Sequence, residues 1–195
     1  DTAPVRGGVL TYLLEAESDT WDIPGANCAL ACITVMRQVA EPLLIVNAEG
    51  VPEPLVLESF EASPDFTEFT LKMREGIVFH DGTPADGAAV QRNLLEMAKG
   101  ILQGQVLADV VGKPDNPEQG IELIDPMTVK ITFSRPFATF PNFIADRTGY
   151  LLAPSFWDNP DRASALPIGT GPFKMVEWKR GEETVLVANA EYWRT

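Results

Sequence analysis

Histidine occurs once in this chain and cysteine twice. A single imidazole, at His80, rules out an H-E-x-x-H zinc site. A lone C-x3-C pair, Cys28 and Cys32, falls well short of the four N/S ligands, or three plus water, that zinc takes. No metal and no cofactor is therefore expected. Basic side chains are also scarce: 15 Lys and Arg stand against 28 Asp and Glu, a formal net charge of −13. Nucleic acid is excluded as a partner, because phosphate binding needs clustered cations. The acidity reads as a solubility device rather than as a preference for cationic ligands. No uncharged apolar run reaches the ~18 residues of a membrane span. The opening DTAPVRGG lacks a basic-plus-apolar leader, so a signal peptide is expected to be absent or already removed.

Apolar content of 45% and charged content of 22% are ordinary for a globular protein. The 195 residues suffice for one good core or two small lobes, and 16 prolines with 15 glycines imply many turns. VLTYLL (9–14) is a nearly continuous apolar run, predicted as a strand buried on both faces. EAESDT and WDIPG then read as a loop. From Cys28 to Ala40, two apolar stripes at helical spacing predict a largely buried helix, ended by Pro42. If both cysteines lie inside a regular helix, their Cβ atoms sit ~6 Å apart, too far for the ~3.8 Å of a disulfide. If Cys28 precedes the helix, a bridge can form, and a disulfide would point to export. The residues alone leave bridge and buried thiols both open.

Leu43–Val46 is a short strand followed by an NAEG turn. In Phe66–Met73, Phe69, Leu71 and Met73 alternate with Thr70 and Lys72, a half-buried strand. Asp86 can cap a helix to Lys99 with Val90, Leu94, Met97 and Ile101 on its inner face. IELI (121–124) and VKITF (129–133) form a hairpin. FATFPNFIA (137–145) is a helix candidate interrupted by Pro141. GYLLAP is a strand, and KMVEW (174–178) with TVLVAN (184–189) forms another hairpin. Helices and strands mix without strict alternation, giving an α/β chain.

Catalytic patterns are missing. There is no G-x-S-x-G, no Walker loop, no G-x-G-x-x-G after a strand and no EF-hand. Glu15, Glu17 and Asp19 are weak grounds for acid–base chemistry in so acidic a chain. His80 reads either as a base oriented by Asp81 or as a turn residue packing beside Phe79, and the second reading is preferred.

Three ordered motifs resemble those of the family 5 solute-binding proteins of ABC importers, which include oligopeptide, dipeptide and nickel binders. They are VPEPLVLESFEASPDFTEFTLKMREGIVFHDGTP (51–84), IELIDPMTVKITFSRPFATF (121–140) and IGTGPFKMVEWKRGEETVLVANAEYW (168–193). EPLL (41–44) fits the family's Y-E-P-L, and WDI (21–23) stands where L-D-P is usual. Alanines at 88 and 89 replace acids common at that helix start. In this pattern the HDGTP turn holding His80 is structural.

The resemblance implies a periplasmic-binding-protein-like II fold of the cluster C type, here lobe I only with its inserted subdomain. Residues 1–45 and 150–195 are expected to form lobe Ia, and 46–149 the insert Ib. The second lobe is expected to be absent, since family members are much longer. The implied function is the ligand-binding component of an ABC importer, not an enzyme. It would capture a small peptide or similar solute between lobes and deliver it to a membrane permease, working as a monomer. A non-transport interaction module, or a hydrolase, are the rivals. The implied location is the periplasm, or outside the cell on a lipid anchor. The loop after the first strand supplies the expected ligand contacts: Glu17, Ser18, Asp19 and Trp21, the last as a wall of the site or as core. Thr148, in Arg147-Thr148-Gly149, and Thr170, in the GTGP turn, complete the set.

Overall fold

The computed structural model describes residues 7–25, 28–101, 103–111 and 120–194. The expectations about the leader and the outermost domain limits therefore run beyond the described residues at both ends. Helix α1 (Leu30–Val39) follows Cys28 and buries Ala31, Cys32, Val35, Met36 and Val39. Cys28 precedes its first turn, so the two sulfurs meet: Cys28 and Cys32 form a disulfide with Cα atoms 5.2 Å apart. The chain then pairs β1 (Leu44–Val46) with β2 (Pro52–Pro54) in an antiparallel ribbon.

The largest sheet has four antiparallel strands in the order β3 (Leu57–Ala62), β4 (Glu68–Met73), β6 (Thr128–Thr132), β5 (Ile121–Asp125). Period-two alternation in β4 turns Phe69, Leu71 and Met73 inward, each 1% exposed, and leaves Lys72 in solvent. Across from it, β6 contributes buried Val129 and Ile131. Helix α2 (Gly87–Ala98) packs near this sheet through Val90, Leu94 and Met97. Asp86 caps it, accepting from the Ala89 amide at 2.9 Å. Helix α3 (Gln103–Val110) follows, an element the sequence reading did not anticipate. Ile101, expected on the inner face of α2, lies beyond the helix end and is half exposed.

Pro141 does not interrupt a helix. It stands in the first turn of α4 (Phe140–Ile144), where a missing N–H costs nothing. Phe140 stacks edge-on with Phe69 and Phe133, at 5.0 and 4.9 Å between centroids, and so anchors α4 on the sheet. A 3-10 turn (Arg147–Gly149), the short helix α5 (Pro154–Trp157) and the hairpin β7 (Phe173–Lys179)–β8 (Glu183–Ala188) complete the chain.

Two predicted strands are not strands. GYLLAP is buried at Tyr150–Ala153 but has only one bridge, Tyr150 with Pro42. Its amides go to three different places: Leu151 to the Glu41 carbonyl, Leu152 to Asn93 Oδ1, and Ala153 to the Ile168 carbonyl. The apolar run is thus a core linker whose backbone is satisfied piecemeal, not by one ladder. VLTYLL (9–14) pairs with no strand among the described residues. Val9, Leu10, Tyr12 and Leu13 are 97%, 88%, 70% and 89% exposed, with no sheet to join and no layer packed over the segment's faces among the described residues.

Candidate functional site

The loop 15–25 lies across the β7–β8 hairpin. Glu17 accepts from the Trp178 indole at 3.1 Å and from the Gly181 amide at 2.9 Å. Trp21 is 2% exposed and meets the Trp178 ring edge-on at 5.4 Å between centroids. The core reading of Trp21 is the one realised, and its buried indole N–H has no partner among the described residues. Ser18, also buried, donates to the Thr20 carbonyl at 2.6 Å, which tightens the loop locally. Asp19 projects into solvent. Glu17 and Trp21 thus meet at Trp178, while Ser18 and Asp19 share their loop without touching that ring.

Thr148 sits apart from them, in the 3-10 turn, where its hydroxyl donates to the Phe143 carbonyl. It also lines a cavity of about 140 Å³ with Ile23 and Pro24 from the loop and Met97 from α2. The neighbouring Arg147 reaches back and donates from Nη1 to the Cys28 carbonyl at 2.7 Å. That bond joins the disulfide, the loop and the 3-10 turn.

Thr170 is fully buried, and the reason is glycine. A Cβ on Gly169 or Gly171 would stand 2.2 Å from the Val39 carbonyl or 2.5 Å from that of Gln38. Only glycine lets the GTGP backbone lie this close to the C-terminal end of α1, where the Gly171 amide donates to the Val39 carbonyl at 2.9 Å. Thr170 then points inward to Glu41 at 3.5 Å. Glu41 is 4% exposed and also accepts from the Tyr192 hydroxyl at 2.5 Å and the Trp193 indole at 2.6 Å. Burial, and then the bond to Glu41, push the Tyr192 hydroxyl up to about 12. The sequence reading matched EPLL and AEYW as separate motifs; their joining through one carboxylate is visible only in three dimensions.

His80 also belongs to this region. Its ring lies between the Gly169 amide, which donates to Nδ1 at 3.3 Å, and the Gly171 carbonyl, 3.0 Å from Nε2. This pattern fixes the neutral tautomer with Nε2 protonated. Burial holds the imidazole below its ordinary range, with the Lys174 ammonium adding to the effect. Asp81 bonds Thr83 and Ser155 rather than orienting the ring. The structural reading of the HDGTP turn therefore holds. Among the described residues no group of three or more His, Cys, Asp or Glu side chains could hold a metal.

Residues 51–195 match the family model described as bacterial extracellular solute-binding proteins, family 5 Middle. The glutathione-binding protein GsiB of Escherichia coli K12 is 32% identical over 163 residues, 82% of this chain and 30% of that protein. The binding protein AgaA of A. tumefaciens R10, solved with agropinic acid, superposes with a TM-score of 0.78 at 29% identity, covering 91% of this chain and 35% of AgaA. NikA of Brucella suis, solved with Fe(III)-EDTA, gives 0.70 at 32% identity, covering 83% and 32%. The chain thus spans about a third of the length of the proteins it matches. Its fold is that of family 5 periplasmic binding proteins, over the part it covers.

Proposed function

This chain belongs to the bacterial extracellular solute-binding proteins of family 5, and from that premise we propose that it is the N-terminal part of an ABC importer's ligand-binding component. In this reading it captures peptides or similar small solutes between two lobes and passes them to a membrane permease. The observation that carries the reading is the family match over residues 51–195. GsiB is named for glutathione, and AgaA and NikA were solved with agropinic acid and Fe(III)-EDTA, so a small polar solute is the expected cargo. The protein acts by binding and not by turnover, as a monomer, outside the cytoplasm.

The proposed organisation keeps 1–45 and 150–195 as lobe Ia and 46–149 as the insert Ib, with the second lobe supplied by sequence outside this chain. The proposed contacts are Glu17, Ser18 and Asp19 on the loop over Trp178, backed by Trp21, together with Thr148. Thr170, buried on Glu41, acts by holding the GTGP loop. Ordered hydrogen bonds from a largely pre-formed wall are what such a site needs.

Calorimetric titration of glutathione, di- to pentapeptides and opine-type acids, on this chain and on its longer reading frame, tests the reading. Saturable binding by the longer protein, with no product formed, supports it. Hydrolysis of any of these solutes, or a reading frame that ends at residue 195 with no binding, overturns it.

A further inference from the structure

The β7–β8 hairpin carries an irregularity that decides which way Trp178 points. Met175 pairs with Leu186, but the next pairs along are Glu177 with Val185 and Trp178 with Thr184. Val176 is therefore an extra residue, a β-bulge. In an unbroken ladder side chains alternate between faces, and Trp178 would lie on the side away from Met175. The bulge brings it back to the side of Met175 and Leu186. Met175 is buried there, and Leu186 and Trp178 pack against the core.

Trp178 is then held by its ring and by its N–H. The ring meets Trp21 edge-on, and the Arg180 guanidinium lies over it at 4.3 Å from the centroid. Arg180 is itself tied down, donating from Nη2 to the Ala163 carbonyl at 3.3 Å. The indole N–H donates to Glu17 Oε1 at 3.1 Å, and the Gly181 amide reaches the two oxygens of the same carboxylate at 3.0 and 2.9 Å. A carboxylate offers about four acceptor sites, so these contacts fix the direction of Glu17 and still leave it able to accept from a solute. Glu17 is exposed, and an exposed glutamate left free must be ordered at the moment of binding, at a cost in affinity.

We propose that Trp178 is a positioning residue of the candidate solute site. It acts through Glu17, ordering the loop that carries Ser18 and Asp19 before a solute arrives. The role rests on the solute-binding reading and adds to it a residue of β7 that need not touch the solute.

Trp178→Phe keeps a ring for Trp21 and Arg180 and removes the N–H to Glu17, which makes it the central variant. The panel of glutathione, peptides and opine-type acids is titrated into the protein of the longer reading frame as native, Trp178→Phe, Glu17→Gln and the double variant. Trp178→Phe should weaken the solute that binds natively by about tenfold, with the melting temperature little changed. Because Trp178 acts through Glu17, the double variant should bind no more weakly than Glu17→Gln alone. In the isotope-labelled chain, Glu17→Gln should shift the Trp178 indole N–H resonance, and Trp178→Phe should lower the heteronuclear NOE of residues 17–19. A Trp178→Phe protein that binds as the native one does, losses that add in the double variant, or a loop whose NOE values stay unchanged overturns the positioning role. A native protein that binds no member of the panel overturns the importer reading and the role with it, an outcome distinct from native binding with an indifferent Trp178→Phe.

Discussion

His80 Nε2 stands 3.0 Å from the Gly171 carbonyl while its Nδ1 accepts from the Gly169 amide, so one imidazole staples the HDGTP turn to the GTGP loop. The backbone repeats the link, the His80 amide donating to the Gly169 carbonyl at 2.9 Å. The Lys174 ammonium, on β7, donates to the His80 carbonyl. The only histidine of the chain is spent on holding two loops together.

This staple is acid-labile. The folded imidazole is held below its ordinary value of 6.5, so the unfolded chain takes up a proton first as pH falls. The contribution is fully present above pH 6.5 and is lost on acidification through the depressed folded value. Protonated Nδ1 would face the Gly169 N–H, donor against donor. Urea midpoints between pH 8 and pH 5 should fall for the native chain and flatten in His80→Phe. At neutral pH that variant should lose about 1–3 kcal/mol. A slope unchanged by His80→Phe would assign the pH dependence elsewhere.

Glu41, itself buried, gathers the half-buried Tyr192 and Trp193 and the buried Thr170. Glu41→Ala should cost about 1–3 kcal/mol in total, since of its three donors only Thr170 is fully buried. Glu41→Gln keeps an acceptor but removes the charge, so the Tyr192 hydroxyl should fall from about 12 toward its ordinary 10.0. Spectrophotometric titration of tyrosinate absorbance reads this directly. Tyr150, also raised by burial, serves as the internal control that should not move.

The Cys28–Cys32 bridge closes a very short loop. By loop-closure entropy it contributes about 2 kcal/mol. Reduction, or Cys28→Ser with Cys32→Ser, should lower stability by that amount and loosen the Cys28 carbonyl that Arg147 holds. Alkylation followed by intact mass gives the number of free thiols. Two alkylated cysteines in the untreated, air-purified chain would remove the bridge from this account.

Glu96 is 4% exposed and faces Lys99, Arg162 and Arg92 at 2.8, 3.0 and 3.1 Å. Burial pushes its carboxyl up, but hydrogen bonds from Lys99 and Arg162 outweigh that and hold it below 4.5. Its stabilisation is present above pH 4.5 and is lost as pH falls through the lower folded value. Glu96→Ala removes the shared anion of three cations that stay partly in water, so it should cost about 1–3 kcal/mol rather than the full cost of stranding a buried charge. Thermal melts at pH 7 and pH 3 should differ less for Glu96→Gln than for the native chain.

Local patterning was legible where a residue's neighbours in sequence decide its environment. Alternation in Phe69, Leu71 and Met73 marked the inner face of β4, and Asp86 marked the start of α2 within one residue. Helix α3 escaped notice because Gln103–Val110 carries a weak apolar stripe and ends near a Pro-containing stretch. VLTYLL and GYLLAP misled in different ways: VLTYLL is left exposed, while GYLLAP is buried but as a linker with no ladder. An apolar run records that burial is wanted, but says nothing of whether a neighbouring strand supplies its backbone partners.

The sequence by itself determined the family, through three ordered motifs, and the absence of metal-binding patterns, through residue types that are too few to build one. It also determined which helix and strand faces are apolar, because periods of 3.6 and 2 are properties of a short segment. Tertiary structure alone decided that Cys28 lies outside α1 and meets Cys32, that Thr170 is turned inward onto Glu41, and that His80 bridges the HDGTP turn and the GTGP loop. Each of these depends on distances between segments far apart in the chain, or on where a helix begins, and those distances are set by packing of the whole core.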